Sequence, residues 1–253
     1  MLLRAAKLTK RFGGVTALLG VDIALEAGAV HSIIGPNGAG KSTLLNVLSG
    51  ICRPDQGEIH FDGHNLSGRA SHEFAAAGIA RTFQNLQVFF NMSALENVMA
   101  GRWLHERCGL GAALLRLPGL ARAEAKCRAD AQALLGLVGL ARWAEAPADA
   151  MPYGALKRLE IARALAVEPA LLLLDEPAAG LNPNETQDLG RLIGLLATRG
   201  VTVVLVEHDM KLVMGISKHV VVLDHGVKLA EGDPAAVSGD ARVIEAYLGV
   251  EAC

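Results

Sequence analysis

The sequence predicts an α/β fold in which a largely parallel sheet is covered by helices and interrupted by a helical segment. Two apolar runs, 171–175 (LLLLD) and 201–209 (VTVVLVEHD), are typical of strands buried on both faces of a parallel sheet. From Asn91 to Gly139 the pattern is helical instead, as in NMSALENVMAG and LARAEAKCRADAQALLGLVG. Strand and helix alternation before and after that segment indicates a sheet domain with a helical insertion.

The first sixty residues alternate short strands with turns. The stretches 21–28 (VDIALEAG) and 29–35 (AVHSIIG) predict two strands separated by little more than a glycine, and 57–63 (GEIHFDG) predicts another that ends in an Asp-Gly turn. A helix is predicted over 41–50 (KSTLLNVLSG), because these residues follow a glycine-rich loop and end at a glycine.

The last part of the chain returns to strands. The stretch 220–232 (VVVLDHGVKLAEG) predicts a hairpin around Asp224-His225-Gly226, and the tail from Pro234 is predicted to be helical. A further short strand is expected to start at Gly78-Ile79-Ala80.

Composition excludes several classes of protein. The net charge is −2, from 24 basic and 26 acidic residues, so neither nucleic-acid binding nor disorder is indicated. The start, MLLRAAKLTKRFGG, becomes charged too early for a signal peptide, and no apolar run of about 18 residues predicts a membrane span. The cysteines form no CxxC pair, which favours core residues or free thiols in the cytosol: Cys52, Cys108, Cys127 and Cys253.

Residues 35–42 (GPNGAGKS) match the pattern G-x-x-x-x-G-K-[ST] between an apolar strand and a helix. Glycines let backbone N–H groups surround a phosphate chain, and the helix N-terminus adds its positive end. Lys41 is expected to reach the β- and γ-phosphates, and Ser42 to bind Mg²⁺. The alternative, a glycine-rich turn with a chance lysine, is disfavoured by the flanking strand and helix.

Two carboxylates end the strand at 171–175. Asp175 is expected beside the glycine-rich loop, because ligands bind at the carboxyl ends of parallel strands, and it can hold Mg²⁺ through water. Glu176 is then placed to orient or deprotonate an attacking water. The alternative is a surface Asp-Glu turn closed by Pro177, which the upstream loop makes less favourable.

Three other residues have a functional and a structural interpretation. His208 follows the strand at 201–209 and can hydrogen-bond a γ-phosphate, or it can be a capping or core histidine. Gln84, in RTFQN (81–85), can reach Mg²⁺ or the attacking water, or it can be an ordinary loop residue. Phe12, beside Gly-Gly, can stack on adenine or pack in the core.

In chain order these stretches resemble the nucleotide-binding subunit of ABC transporters over essentially the whole chain. Residues 151–155 (MPYGA) take the place of the family signature LSGGQ, with Gly154 near the start of a helix. In that family this helix faces the γ-phosphate of an ATP bound by the other subunit. Pro152 and Tyr153 replace the usual Ser and Gly, so backbone N–H groups around Gly154 are expected to supply more of that contact.

The resemblance implies a P-loop NTPase (RecA-like) core, an antiparallel β subdomain and an inserted helical subdomain. The expected boundaries give the core and β subdomain residues 1–88 and 168–253, and the helical subdomain residues 89–167. ATP and Mg²⁺ are the implied cofactors. The residues that bind the nucleotide in the same subunit are expected to be Phe12, Asn37, Gly38, Gly40, Lys41, Ser42 and Thr43.

The remaining roles also come from the resemblance. Glu176, His208 and Gln84 would be catalytic, and Ser42, Gln84 and Asp175 would hold the metal. Asn182, in the AGLN stretch, would couple two ATP sites formed when this chain pairs with a second ATPase subunit. Two membrane-spanning permease subunits and, indirectly, a periplasmic binding protein are further implied partners, with no nucleic acid. The location would be the cytoplasmic face of a bacterial inner membrane.

One branch of the family is most similar to this chain, the ATPases of bacterial branched-chain amino acid importers. The similarity lies in MPYGALKRLEIAR, DEPAAGLNPNET, EHDMKLVMGIS, the ending AYLG and the helical insert at 101–125. Two alternatives keep the ATPase: lipid or lipopolysaccharide export, whose signatures generally keep Ser-Gly-Gly, and import of urea or amides. A third, a soluble ABC ATPase acting on ribosomes or DNA, is disfavoured by the single nucleotide-binding unit and the lack of a basic patch.

The segment 86–98 (LQVFFNMSALENV) is where the family receives a short helix of the membrane subunit. Phe89, Phe90 and Met92 would form that groove as adaptable apolar surface. The alternative is that they pack inside the helical subdomain.

Overall fold

The computed structural model describes residues 1–102 and 118–248. Its strands are β1 (Leu3–Phe12), β2 (Val15–Leu25), β3 (Val30–Ile34), β4 (Gln56–Phe61), β5 (His64–Asn65), β6 (Ile79–Arg81), β7 (Leu171–Asp175), β8 (Thr202–Val206), β9 (His219–Asp224) and β10 (Val227–Gly232). Its α-helices are α1 (Lys41–Leu48), α2 (Ser71–Ala76), α3 (Ala94–Gly101), α4 (Pro118–Leu137), α5 (Tyr153–Leu165), α6 (Pro183–Thr198), α7 (Met210–Ile216), α8 (Pro234–Ser238) and α9 (Ala241–Leu248).

The chain forms two compact units. The first combines Met1–Arg81 with Ala170–Cys253, and the second is Thr82–Pro169. The first limit lies seven residues before the expected boundary at 88/89, and the second lies two residues after the expected boundary at 167/168. The α/β class, the antiparallel sheet and the helical insertion predicted from the sequence are present.

The first unit contains a six-stranded sheet in the order β10-β9-β3-β8-β7-β6. Pairing is parallel from β9 to β6, and β10 is antiparallel to β9. Every residue of β3, β7 and β8 is buried, which explains why these strands are continuous apolar runs. The carboxyl ends of β3, β8 and β7 therefore lie side by side at one edge of the sheet.

The predicted hairpin near the C-terminus is confirmed. β9 ends at Asp224 and β10 starts at Val227, so the loop is His225-Gly226. Both loop residues have a left-handed backbone, with φ +44° and +80°. Such two-residue loops match the twist of the strands they connect.

The same unit contains an antiparallel sheet in the order β2-β1-β4-β5. β2 is longer than the predicted strand at 21–28, because Val15 already pairs with Phe12 across the Gly13-Gly14 turn. Buried residues of this sheet, such as Leu8 and Ile23, share one hydrophobic cluster with Leu44 of α1 and with β7 and β8. Burial of that common apolar surface is the main force that holds the two sheets and α1 together.

The second unit is built from α3, α4 and α5, and the sequence marks the start of α3 clearly. Ser93 Oγ accepts the N–H of Glu96 (3.2 Å), and the Glu96 carboxylate accepts the N–H of Ser93 (2.8 Å). This capping box satisfies two donors at the helix start. Of the expected insert at 101–125, residues 103–117 lie outside the described part of the chain, as do Cys108 and Cys253. Within the described residues neither Cys52 nor Cys127 forms a disulfide, and Cys127 is buried.

Among the helices within residues 1–102 and 118–248, none has the length and hydropathy needed to cross a membrane.

Gly101 is the point where α3 meets α5. A Cβ at this position would lie 2.5 Å from the carbonyl oxygen of Arg163 and 2.9 Å from the Cβ of Ala166. Because a backbone oxygen cannot rotate away as a side chain can, any residue larger than glycine must separate the two helices.

Gly101→Ala is therefore expected to destabilise the protein by about 1–3 kcal/mol through overpacking. The measurement is the urea midpoint from tryptophan fluorescence, since Trp143 lies in this unit. Gly136→Ala in α4 is the matched control, because a Cβ there meets no atom of the described residues within 4 Å. Equal midpoints for the two variants would contradict the close helix contact.

Candidate functional site

The predicted phosphate-binding loop joins β3 to α1. α1 begins at Lys41, directly after Gly40, whose φ is +100°. A Cβ on Gly40 would lie 2.5 Å from the carbonyl oxygen of Ala17, so glycine is required both for its backbone and for its size. Asn37 and Gly38 are exposed at the tip of the loop, and Ser42 is exposed in the first turn of α1. The first-turn N–H groups and the positive end of a helix favour anions, so the loop has the features that the predicted phosphate binding requires.

Lys41 lies across the loop that precedes it. Its Nζ donates to the carbonyl oxygens of Gly35 (2.6 Å) and Pro36 (2.9 Å). Burial lowers the pKa of Lys41, and the negative charges of Glu176 and Asp175 oppose this fall. The ammonium group is thus held against the loop by two hydrogen bonds and lies within the electrostatic field of both predicted carboxylates.

Glu176 and His208 are brought together from the ends of neighbouring strands. Nε2 of His208 lies 3.0 Å from Oε1 of Glu176, a hydrogen bond when the proton is on Nε2. The N–H of Glu176 donates to the carbonyl oxygen of Val206 at the end of β8 (2.9 Å). Glu176 has a φ of +48°, which is uncommon for a residue with a side chain and typical of strained functional positions.

Glu207 is a site residue that the sequence analysis missed. It is buried, and its carboxylate accepts the N–H groups of Ala178 (2.7 Å) and His208 (3.0 Å). Burial raises the pKa of Glu207, while these backbone N–H groups oppose the rise. Glu207 thereby ties the segment after Glu176 to the segment that carries His208. The sequence feature that could have identified Glu207 is a charged residue directly after an apolar strand.

Arg81 is the second residue that was missed. Its Nη2 lies 3.0 Å from Oδ2 of Asp175, and both side chains are buried. Burial raises the pKa of Asp175, and the Arg81 guanidinium opposes that rise. Asp175 is the last residue of β7, as predicted, and does not belong to an exposed turn.

Phe12 is the last residue of β1. Its side chain is half exposed, and Nζ of Lys10 lies 5.3 Å from the centre of its ring. A ring exposed in this way is available to stack on a planar ligand. The alternative of a core residue is therefore disfavoured, and adenine stacking stays a prediction.

Gln84 and Gly154 belong to the second unit, so their relation to the groups above stays a prediction. Gln84 is exposed in the loop before α3, and its carbonyl oxygen lies 3.4 Å from Nζ of Lys157. Gly154 is the second residue of α5, which begins at Tyr153 after Pro152. The helix N-terminus predicted at the signature, residues 151–155, is thus present, and the exposed Tyr153 stands at its first position.

Phe89 and Phe90, predicted to line a docking groove, are each about half exposed. Phe89 also lies under the Arg163 guanidinium, which is 5.3 Å from its ring centre. Met92 is half-buried. These residues are thus neither fully packed inside the second unit nor fully free, and the docking role stays a prediction.

Asn182 caps α6. Its Oδ1 accepts the N–H groups of Asn184 and Glu185, each at 3.0 Å, and its own N–H donates to the Glu185 carboxylate (3.0 Å). The predicted role in coupling two ATP sites is not tested by this geometry. A capping residue is required here in any case, since the first N–H groups of a helix lack intrahelical partners.

Asn182→Ala is expected to lower the free energy of unfolding by about 1 kcal/mol, because the cap is lost. Asn182→Asp should keep most of that stability, since aspartate caps helices equally well. Urea denaturation of both variants checks this. A loss of ATPase cooperativity in the Asp variant, with unchanged stability, would indicate the coupling role instead.

A magnesium ion fits the groups at this edge of the sheet. Within the described residues no cluster of three or more His, Cys, Asp or Glu side chains forms a metal cage. Mg²⁺ does not need one, because it keeps several waters and takes one or two carboxylates plus substrate phosphates. The Asp175 carboxylate and the exposed Ser42 hydroxyl are ligands of the required type.

Comparison with known families places these features in a known context. The model of the ABC transporter family matches residues 18–179. The model described as branched-chain amino acid ATP-binding cassette transporter matches residues 227–253.

Similar proteins cover almost the full length. The chain is 45% identical over 249 residues to the high-affinity branched-chain amino acid transport ATP-binding protein BraF of Pseudomonas aeruginosa, with 98% of each chain covered. It is 41% identical to the corresponding protein LivG of Escherichia coli, again over 98% of each chain. Among solved structures, a nucleotide-free ATP-binding cassette from an ABC transporter has a TM-score of 0.85 at 32% identity, covering 97% of this chain and 98% of the other.

Proposed function

This chain belongs to the ATP-binding proteins of ABC transporters, and from that premise we propose that it hydrolyses ATP to power a membrane importer of branched-chain amino acids. The observation that carries the catalytic part is the contact between Glu176 and His208 beside the phosphate-binding loop. In the proposed site a carboxylate, an imidazole and Lys41 would surround the γ-phosphate of a nucleotide bound at the loop.

Each residue has a distinct role in this reaction. Lys41 and the first-turn N–H groups of α1 bind the phosphates, and Lys41 neutralises charge on the oxygens of the transferred group. Glu176 accepts a proton from the attacking water while the water oxygen bonds to the γ-phosphorus and the bond to the bridging oxygen breaks. His208 holds the Glu176 carboxylate in place through its Nε2–H.

Ser42 and Asp175, with Gln84 as a further ligand, would hold the magnesium ion. When bound, this ion neutralises phosphate charge and fixes the orientation of the phosphate chain. Phe12 would stack on the adenine ring.

Transport requires a second ATPase subunit and two permease subunits. We expect two such cassettes to close on two ATP molecules, with Gly154 contacting the nucleotide of the other subunit and Asn182 coupling the sites. Nucleotide binding then stabilises a closed arrangement, and hydrolysis releases it. The half-exposed Phe89 and Phe90 support a permease contact on the second unit. A peripheral location on the cytoplasmic face of the membrane follows from these partners.

The proposal that the transported substrates are branched-chain amino acids rests on similarity to known proteins. The full-length relatives named above are branched-chain amino acid transport ATP-binding proteins, and the C-terminal family model over 227–253 has the same description. The same relatives favour this substrate over the two alternatives, export of lipids or lipopolysaccharide and import of urea or amides.

Affinity purification of the chain from detergent-solubilised membranes of its native cell tests the proposal. We expect two membrane-spanning subunits and a second ATPase, and uptake of labelled leucine by the reconstituted complex. Uptake of labelled urea without leucine uptake would change the substrate only. Recovery with ribosomes or DNA and without a membrane partner would overturn the transport function.

A further inference from the structure

The position of Arg81 follows from strand register. β6 is parallel to β7, and Arg81 lies opposite Leu173. Side chains two residues apart on a strand point to the same face, so Leu173 and Asp175 share a face with Arg81. The arginine side chain is long enough to extend along that face to the strand end, where it meets the Asp175 carboxylate.

The same guanidinium also binds α1. Nη1 donates to Oδ1 of Asn46 (2.6 Å) and lies 3.2 Å from Oγ of Ser49. The Ser49 hydroxyl donates to the carbonyl oxygen of Leu45 (2.7 Å), so its oxygen is oriented to accept from Arg81. One planar group thus connects the end of β7 with the C-terminal half of the phosphate-binding helix.

This connection spans the two elements on which a magnesium–nucleotide site depends. The first turn of α1 carries Lys41 and Ser42, and the end of β7 carries Asp175. Because the side chains of Arg81 and Asp175 are only 7% and 5% exposed, solvent contributes little to screening or replacing the ion pair. The pair therefore holds the carboxylate in one orientation relative to the helix.

We propose that Arg81 is a positioning residue of the magnesium–nucleotide site: it holds Oδ2 of Asp175 and anchors β7 to α1. The proposal rests on the ATPase function given above. Groups that hydrogen-bond a metal ligand orient it, and their loss commonly weakens metal binding about 10- to 100-fold. Arg81 has this role toward Asp175 and does not itself contact the nucleotide.

The test separates metal binding from nucleotide binding. The probe is Mn²⁺, titrated against the protein with a non-hydrolysable ATP analogue and followed by electron paramagnetic resonance. Arg81→Met should raise the Mn²⁺ concentration for half-saturation about 10- to 100-fold. Affinity for the analogue in EDTA should change less than about twofold, because the loop and Lys41 are intact. Arg81→Lys keeps the charge but not the planar guanidinium. Its Mn²⁺ affinity should therefore lie between that of the unchanged chain and that of Arg81→Met.

Two further variants control for folding. Arg102→Met removes another buried arginine, which pairs with Asp130 (2.9 Å) and Glu168 (3.1 Å) in the second unit. It should leave Mn²⁺ affinity unchanged despite any loss of stability. Asn46→Ala keeps the ion pair but removes the shorter of the two hydrogen bonds from Arg81 to the C-terminal end of α1, and should weaken Mn²⁺ binding in the same direction by a smaller factor. This variant tests the proposal even where Arg81→Met fails to fold.

The possible outcomes are distinct. Unchanged Mn²⁺ affinity in Arg81→Met and Asn46→Ala would show that the ion pair serves stability alone and would overturn the proposal. An equal loss of Mn²⁺ affinity in Arg102→Met would also overturn it, since the effect would then be a general loss of stability. Failure of the unchanged chain to bind the analogue, with or without metal, would instead overturn the ATPase function.

Discussion

Replacement of Glu176 by glutamine is expected to lower ATP turnover by about 10²- to 10⁴-fold, the usual contribution of a general base. The amide has nearly the same shape and can still contact His208, but it cannot accept a proton from water. Nucleotide binding should be retained, because Lys41 and the N–H groups of α1 are unchanged. Steady-state phosphate release and equilibrium binding of ATP to the same preparation measure the two effects.

A matched control separates chemistry from strain at this position. Glu58→Gln, on β4, makes the same change on an acidic residue whose side chain is 67% exposed and should leave turnover within about twofold, since most surface substitutions have small effects. Undiminished hydrolysis in Glu176→Gln would show that another group is the base. Loss of ATP binding in this variant would indicate that the left-handed backbone at Glu176 is what the substitution disturbs.

Replacement of Lys41 by alanine is expected to weaken ATP binding itself. A charge-assisted hydrogen bond contributes about 1.5–3 kcal/mol, so the dissociation constant should rise about 10- to 150-fold. Turnover at saturating ATP should also fall, since Lys41 neutralises charge that develops on the transferred group. Titration with a fluorescent ATP analogue measures the first effect.

Lys228→Ala is the control for the lysine variant. Lys228 pairs with Glu231 on β10 and does not reach the loop, so its loss should not alter nucleotide affinity. Circular dichroism checks the fold of Lys41→Ala, because this variant also loses the bonds from Nζ to Gly35 and Pro36. Equal affinities in the two variants would mean that the loop backbone alone holds the phosphates.

Much of the site was predictable because its parts are local. The loop before Lys41 is identified by spacing within eight residues, and Asp175 and Glu176 by the apolar strand that precedes them. The carboxyl ends of parallel strands share one edge, so strands β3, β7 and β8 bring these groups together once each is recognised as a strand. The hairpin at 224–227 was predictable for the same reason, since its turn residues determine its shape.

The contacts of Arg81 and Glu207 were not predictable in this way. Arg81 meets partners 35 and 94 residues distant in the sequence, and Glu207 binds an N–H group 29 residues away. No periodic pattern encodes such a pairing, because it depends on strand order and register. The strand β1 was equally hard to predict, because LRAAKLTKRF contains few residues that favour strands. It owes its conformation to pairing with its two neighbours, β2 and β4.

The central place of β3 in its sheet affects how the protein is made. β3 emerges early from the ribosome, but the strands on either side of it, β8 and β9, begin only at Thr202 and His219. Until then an apolar strand has both edges unpaired, which is the condition under which nascent chains associate with one another. The six-stranded sheet can therefore be completed only when the last quarter of the chain is synthesised.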